Sequence, residues 1–188
     1  MLRRRRTPLL GGVLGLLVVP VLVLAVDGPG SAATPGPAAV PTVPAVPAVP
    51  AVPAAERAVI STLFEARVVT LTNRRRARAG CRPVRVDVRL REAARAHSTA
   101  MAQAGRMAHT LPGEPGLVRR MTQAGYTGWR RLAENLAAGF VTPAGAVRAW
   151  LASPGHRRNI LDCRMREIGV GVVVEGTQLW WTQDFGRR

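Results

Sequence analysis

Three ionisable side chains from separate parts of the chain could do chemistry together. His109 follows a methionine and an alanine, Glu134 precedes an asparagine, and His156 follows a Ser-Pro-Gly turn sequence. Imidazole and carboxylate groups act as general acids and bases, and they also bind zinc. Because each of these polar islands adjoins an apolar run, we predict that the three side chains share one pocket.

Two interpretations of this set stay open. Two imidazoles and one carboxylate suit zinc or another divalent cation, and a water in the open fourth position would acquire a lowered pKa and support hydrolysis. In the other interpretation the set is a structural network, in which Glu134 accepts hydrogen bonds that tie loops to the fold, because a buried carboxylate needs partners. We therefore assign no catalytic residue.

Four further polar residues are predicted to line the same cleft: His97, Asn135, Ser153 and Gln183. His97 lies on an alanine-rich helical face, which favours the wall of the cleft over a ligand role. Asn135 and Gln183 are short amides that could orient the histidines, whereas Asn159 is predicted to satisfy a local backbone turn. Neither Ser98 nor Ser153 lies in the Gly-x-Ser-x-Gly sequence of a serine hydrolase.

The first 55 residues predict export and a spacer. Residues 1–33 contain four arginines, an apolar run over 8–26 and small residues before Thr34, as in a signal peptide. That run also approaches the length of a membrane span, so cleavage and retention as an anchor both stay open. Residues 34–55 repeat Val-Pro-Ala, which predicts a disordered, polyproline-like spacer between the membrane and a domain over 56–188.

The net charge of the chain indicates which classes of partner it could bind. All 27 basic residues are arginine, against 11 acidic residues. This balance favours an anionic partner such as a wall polymer or lipid. However, the arginines are scattered along helical faces without interleaved aromatic residues, which is typical of a solvated surface. Export makes a nucleic-acid partner unexpected, and membrane contact is predicted only through the N-terminal segment.

The two cysteines agree with export. Cys81 and Cys163 are far apart in sequence and lack the close spacing of a zinc or redox pair. In an oxidising compartment such an isolated pair most simply forms a disulfide.

The periodicity predicts helices first and strands last. Pro154 ends the last helix before the histidine turn. After Cys163, alternating apolar residues predict a C-terminal β-hairpin, with a further strand around 136–140. The predicted helices cover 57–78, 88–104, 117–124 and 143–153. This order implies an α+β sandwich in which helices cover both faces of an antiparallel sheet.

Eight motifs in order resemble the bacterial branch of the CAP superfamily, which groups cysteine-rich secretory proteins, antigen 5 and plant pathogenesis-related proteins, also called SCP-like proteins. They begin at Leu71, Ala93, Met107, Ala124, Ala133, Ser153, Ile168 and Trp181. The resemblance covers about residues 60–186. It implies a three-layer α-β-α sandwich with a mostly antiparallel sheet and a large cleft.

The resemblance also implies a site. His109 and His156 match the two family histidines and Glu134 matches the first glutamate, while Ser153 stands where the second glutamate would be. A metal site would then have three protein ligands and a water. The implied protein is secreted or tethered at the surface and binds an extracellular lipid, wall polymer or protein. A metal-dependent hydrolase and an arginine-rich adhesin are the alternatives.

Overall fold

The structure, a computed structural model, describes residues 52–188. The predicted leader, 1–33, and most of the predicted spacer, 34–55, lie outside the described residues. Among residues 52–188, no helix is both long enough and apolar enough to cross a bilayer. The described helices are α1 (Ala54–Arg78), α2 (Val88–Ala104), α3 (Leu117–Gln123), α4 (Pro143–Ala152) and α5 (Pro154–Leu161), and the strands are β1 (Arg85–Val86), β2 (Arg131–Ala138), β3 (Glu167–Glu175) and β4 (Gln178–Arg187).

The strands form one sheet in the order β1-β3-β4-β2. β3 and β4 are the predicted hairpin, and β2 pairs with β4 in the antiparallel direction. β1 pairs in parallel with β3, so the sheet is mixed rather than wholly antiparallel. β1 has only two residues, too few for a periodic pattern, and the sequence did not predict it. β2 begins five residues before the predicted strand at 136–140.

Helices cover both faces of the sheet, as predicted. Ser98 on α2 donates to the Thr182 hydroxyl of β4, and the ring of Phe64 on α1 stacks on Trp181. Adjacent strand residues point to opposite faces, so we call these the α2 face and the α1 face. Trp180 and Trp181 therefore lie on opposite faces, and both are buried.

Two glycines of β3 allow α2 to lie directly on the sheet. A Cβ atom on Gly169 would lie 2.1 Å from the carbonyl carbon of Leu90, and one on Gly171 would lie 2.4 Å from that of Ala94. No side chain fits in these spaces. The two glycines of the motif that begins at Ile168 are thus explained by the close packing of α2 against β3.

Two helices begin at capping side chains, whereas the start of α5 departs from the prediction. Asp87 caps α2 by accepting from the Arg89 amide at 2.9 Å, and Thr142 caps α4 by accepting from the Gly145 amide at 3.1 Å. Pro154, however, begins α5 rather than a turn, because proline also suits the first position of a helix. His156 therefore lies on a helix.

The N-terminal half of α1 packs loosely. Val59 and Leu63 fit the apolar spacing of the helix predicted over 57–78, but they are 59% and 63% exposed. Glu65 of the same helix is buried and receives a bidentate ion pair from Arg95 of α2, at 2.8 and 2.6 Å. This pair joins the two helical layers beside β3.

Side chains of the helices α4 and α5 also form hydrogen bonds with the outer strand β2. Trp150 of α4 donates its indole N–H to the Leu136 carbonyl at 2.8 Å, and Asn159 of α5 donates to the Glu134 carbonyl at 3.2 Å. These bonds fix α4 and α5 against β2.

The predicted disulfide between Cys81 and Cys163 is present. Beside it, the fully buried Arg76 of α1 holds the same region together. Its guanidinium donates to the backbone carbonyls of Arg82, Ile160, Asp162 and Met165. The end of α5 is therefore held both covalently and by hydrogen bonds.

Candidate functional site

The sheet separates neighbouring residues of the two site motifs. Glu134 and Asp184 are cross-strand partners, as are Asn135 and Gln183. Because side chains alternate along a strand, each pair lies on one face. We call the group on the α2 face the carboxylate cluster (His97, His109, Glu114, Arg120, Glu134 and Asp184) and the group on the α1 face the amide cluster (Thr72, Asn135, Asn159 and Gln183).

Glu134 is the centre of the carboxylate cluster. It is buried, and both of its oxygens are engaged. Oε1 lies 2.7 Å from Nδ1 of His109, and Oε2 accepts from Nη2 of Arg120. The guanidinium favours the ionised carboxylate, which can only accept, so Nδ1 of His109 carries the proton. Nε2 of His109 forms no hydrogen bond within the described residues.

Arg120 reaches the cluster from α3 and also fixes the loop before it. Its Nη1 donates to the carbonyls of His109 and Pro115, each at 3.0 Å, and lies 3.8 Å from Oε2 of Glu114. The side chain is 6% exposed. One guanidinium thus forms ion pairs with two carboxylates and hydrogen bonds with two backbone carbonyls.

His97 lies beneath this arrangement, fully buried on α2. Its Nδ1 is 2.6 Å from Oε1 of Glu114. Its Nε2 points towards Oε2 of Glu134 at 3.9 Å and has no hydrogen-bond partner in the described residues. His97 is a wall residue of the cluster, inaccessible to solvent.

Asp184 is the most deeply buried acid of the described residues and has no hydrogen-bond partner for either carboxylate oxygen. Burial raises the pKa of Asp184 well above that of an ordinary aspartate, and the charge of Glu134 raises it further, while Arg120 opposes the shift. The protonated form is therefore favoured, and Asp184 adds little negative charge.

Two imidazoles stand at the mouth of the site. The side chain of His109 is 63% exposed, and His156 on α5 is half-buried. Partial burial lowers the pKa of His156, and the neighbouring His109 lowers it further. The backbone carbonyl of His156 accepts from Nδ2 of Asn135 at 3.2 Å, which positions α5 against β2.

The expected metal ligands do not fit a three-ligand site. Glu134 offers no free oxygen, because His109 and Arg120 engage both. In residues 52–188, no three histidine, cysteine, aspartate or glutamate side chains are arranged to hold a metal ion. A positive guanidinium at the carboxylate also repels a second cation. His109 and Glu134 are thus together as hydrogen-bond partners rather than as co-ligands.

The amide cluster corrects three predictions. Asn135 and Gln183 are fully buried on the α1 face, so they do not line the cleft. Gln183 accepts from Asn135 at 2.9 Å and donates to Thr72 at 2.8 Å. Asn159 donates to the Asn135 side chain at 2.8 Å rather than closing a local turn. Ser153 is half-buried between α4 and α5 and makes no capping bond.

Sequence reasoning missed three members of the carboxylate cluster: Glu114, Arg120 and Asp184. Asp184 could have been found, because strand alternation places it on the same face as Glu134 once their strands are paired. Nothing distinguishes Arg120 among 27 arginines. Glu114 lies in a loop whose path follows from contacts with Arg120 and His97, which the local sequence does not encode.

A surface hollow of about 300 Å³ lies between α2 and α3. Glu114 and Arg120 form part of its lining, together with small side chains such as Ala93 and Ala124. The cluster can therefore be approached from solvent on this side, as well as past the exposed His109.

Known proteins are similar to this chain in sequence. The family model described as the Cysteine-rich secretory protein family, CAP, matches residues 69–185. The uncharacterized protein YkwD of Bacillus subtilis is 38% identical over 122 residues, and the uncharacterized membrane protein YlbC of the same organism is 30% identical over 129. The matches cover 65% and 69% of this chain but only 46% and 36% of those relatives.

A solved structure agrees with these matches. The extracellular SCP-domain protein of Bacillus anthracis superposes with a TM-score of 0.69 at 26% identity. The alignment covers 74% of this chain and 45% of that one.

Proposed function

Because the chain belongs to the CAP family of cysteine-rich secretory proteins, we propose that it acts outside the cell as a binding protein whose ligand contacts His109 and His156. One observation carries the proposal. Glu134 accepts from Nδ1 of His109 at 2.7 Å, which fixes the orientation of the ring and leaves Nε2 free to contact a ligand, on a side chain that is 63% exposed. A buried carboxylate that orients an exposed imidazole prepares that imidazole for contact with another molecule.

The chemistry of the pair indicates the kind of group it recognises. The lowered pKa of His156 favours its neutral ring near neutral pH, and Nε2 of His109 is free to form a hydrogen bond with a ligand. Imidazole nitrogens accept and donate hydrogen bonds. They suit the hydroxyl and amide groups of glycans, peptides or lipid headgroups.

Binding fits the site better than catalysis does. A carboxylate-oriented histidine is also found in acyl-transfer enzymes, where it activates a nucleophile. In the described part of the chain, no serine hydroxyl or cysteine thiol forms a hydrogen bond with His109 or His156. The misfit of the metal ligands also removes support from the metal-dependent hydrolase.

The three histidines of the chain permit a direct test. We would label the histidines of the full-length protein with ¹⁵N and record the imidazole spectra while adding N-acetylglucosamine oligomers or phosphatidylglycerol vesicles. We expect the signals of His109 and His156 to shift with one of these probes, while the signal of buried His97 stays in place.

The control is Arg119→Gln, an exposed change on α3 outside the site. It should bind the active probe as wild type does, whereas His109→Ala should bind it at least tenfold more weakly. Saturable binding of a probe that leaves the His109 and His156 signals unchanged would refute the proposal.

A second candidate function has its own observation. One end of the sheet gathers five arginines, which we call the arginine end: Arg85, Arg130, Arg131, Arg166 and Arg187. Arg131 and Arg187 are direct cross-strand partners, an arrangement of like charges that costs stability. Of the five, only Arg131 has an ion pair within the described residues. Guanidinium groups match phosphate geometry, so this end suits an adhesin for a phosphate-bearing polymer.

Poly(glycerol phosphate) is a suitable probe for the arginine end. The triple change of Arg130, Arg131 and Arg187 to glutamine should weaken binding and flatten its salt dependence. The matched control changes Arg67, Arg119 and Arg148, which are exposed on three separate helices, to glutamine. If both triple variants lost the same binding affinity, the effect would come from net charge alone, and the arginine end would be excluded as a specific binding site.

A further inference from the structure

The outer side of α1 carries two large apolar side chains in contact with solvent. Val59 and Leu63 are 59% and 63% exposed, and they lie one helical turn apart, so they project from the same side of the helix. That side is opposite to the one that buries Val68 and Thr72. Single exposed apolar residues are normal, whereas a contiguous group of them marks a binding surface.

Two valines extend this surface across the end of the sheet. Val86 of β1 and Val88 at the start of α2 are 48% and 63% exposed. A hollow of about 120 Å³ lies between α1 and β1, and Ala66, Val86 and Val170 are part of its lining. The hollow thus joins the exposed side of α1 to the exposed valines. We call the four exposed residues the apolar patch: Val59, Leu63, Val86 and Val88.

Positive charge continues from the apolar patch along α1. The exposed arginines of this helix that have no ion pair within residues 52–188 include Arg67, Arg74, Arg75 and Arg78. Its one exposed acid is Glu56. Apolar side chains beside guanidinium groups match the acyl chains and phosphates of anionic lipids. A second copy of the same surface would instead bring arginines against arginines, which is unfavourable.

We propose that the apolar patch is a membrane-interface contact, through which the domain lies on the surface of a bilayer that contains anionic lipid. Val59 and Leu63 enter the boundary between headgroups and acyl chains, and the arginines of α1 pair with lipid phosphates. This contact belongs to the domain itself, in addition to the membrane contact predicted for the N-terminal segment. It is separate from the ligand proposed for His109 and His156.

Methyl NMR of the full-length protein tests the contact directly. We would place the protein with phosphatidylglycerol nanodiscs that contain a nitroxide-labelled lipid, and measure the broadening of each methyl signal. The apolar patch should broaden at least twofold more than Met107 and Val118, which are 49% and 52% exposed elsewhere on the domain. Nanodiscs of pure phosphatidylcholine should reduce this difference, because they lack the negative charge that attracts the arginines.

A pair of matched variants locates the effect. Val59→Ser with Leu63→Ser should remove the excess broadening at Val86 and Val88, since these two valines approach the bilayer only while α1 does. Met107→Ser with Val118→Ser removes as many exposed apolar side chains and should leave that broadening as in wild type. Circular dichroism checks the fold of both variants, and the comparison of methyl signals within the wild-type protein does not depend on either of them.

Three results would overturn the proposal. The first is equal broadening at the apolar patch, Met107 and Val118. The second is broadening confined to Met107 and Val118, which would place the lipid near His109 instead. The third is a change of the patch signals with protein concentration in the absence of lipid, which would assign the surface to a second copy. The histidine titration with vesicles is made on the Val59→Ser, Leu63→Ser variant, so that lipid held by the apolar patch is not counted against binding at His109.

Discussion

Replacing Cys81 and Cys163 by serine should destabilise the protein strongly while leaving its native structure in place. The disulfide closes a loop with a sequence separation of 82 residues. In the chain-entropy treatment, a loop of this length restricts the unfolded chain by about 4.5 kcal/mol. Because that effect acts on the unfolded state, the folded state has little reason to change.

The folded state has its own fastening at the same place. Arg76 donates to carbonyls on both sides of the disulfide, including those of Arg82 and Asp162. These bonds remain when the sulfurs are gone. We therefore expect the double serine variant to keep native circular dichroism and the wild-type imidazole spectra.

Guanidinium-chloride unfolding measures the effect. The midpoint should fall, and the slope should rise because the unfolded chain without its cross-link exposes more surface. Arg76→Met is the contrasting variant: it weakens the native state and should lower the midpoint without raising the slope. A double serine variant that loses less than about 1 kcal/mol, or that loses native structure, would refute the assignment of the effect to the unfolded state.

Three further predictions concern single positions. Gly171→Ala places a methyl group 2.4 Å from Ala94 and should cost about 3 kcal/mol or more in chemical unfolding, whereas Gly155→Ala, with its nearest atom at 3.9 Å, should change stability by less than about 0.5 kcal/mol. Burial raises the pKa of Asp184, so the folded state binds the extra proton and stability falls as pH rises above about 4; Asp184→Asn should reduce that slope by up to about 1.4 kcal/mol per pH unit in unfolding series from pH 4 to 8. The lowered pKa of His156 has the opposite sign: the unfolded state binds more protons, so stability falls as pH drops through about 6.5, and His156→Gln should weaken that dependence.

Local chemistry made much of the fold predictable. The C-terminal hairpin follows from alternating apolar residues and the disulfide from an isolated pair of cysteines, and both are present. The helix at Pro154 was mistaken for a turn because proline both ends one helix and begins another, and the sequence does not say which role applies.

The candidate site was less predictable because its contacts cross between layers. Neighbours in sequence, Glu134 and Asn135, belong to opposite faces of the sheet, and the group that decides the chemistry of Glu134 is Arg120, on another element. The motif residues were therefore found, while their division into two clusters depended on strand register. Register is set by the whole sheet, and no single motif contains it.

The side-chain bonds to β2 and the ion pair beside β3 have a consequence for the edges of the sheet. An outer strand with free backbone groups is a template on which another chain can add a strand and start aggregation. Trp150 and Asn159 occupy two outward carbonyls of β2, and Arg95 with Glu65 closes the helical layers beside β3 where β1 has ended. Fewer free backbone groups therefore remain at these two margins of the sheet for another chain to pair with as an added strand.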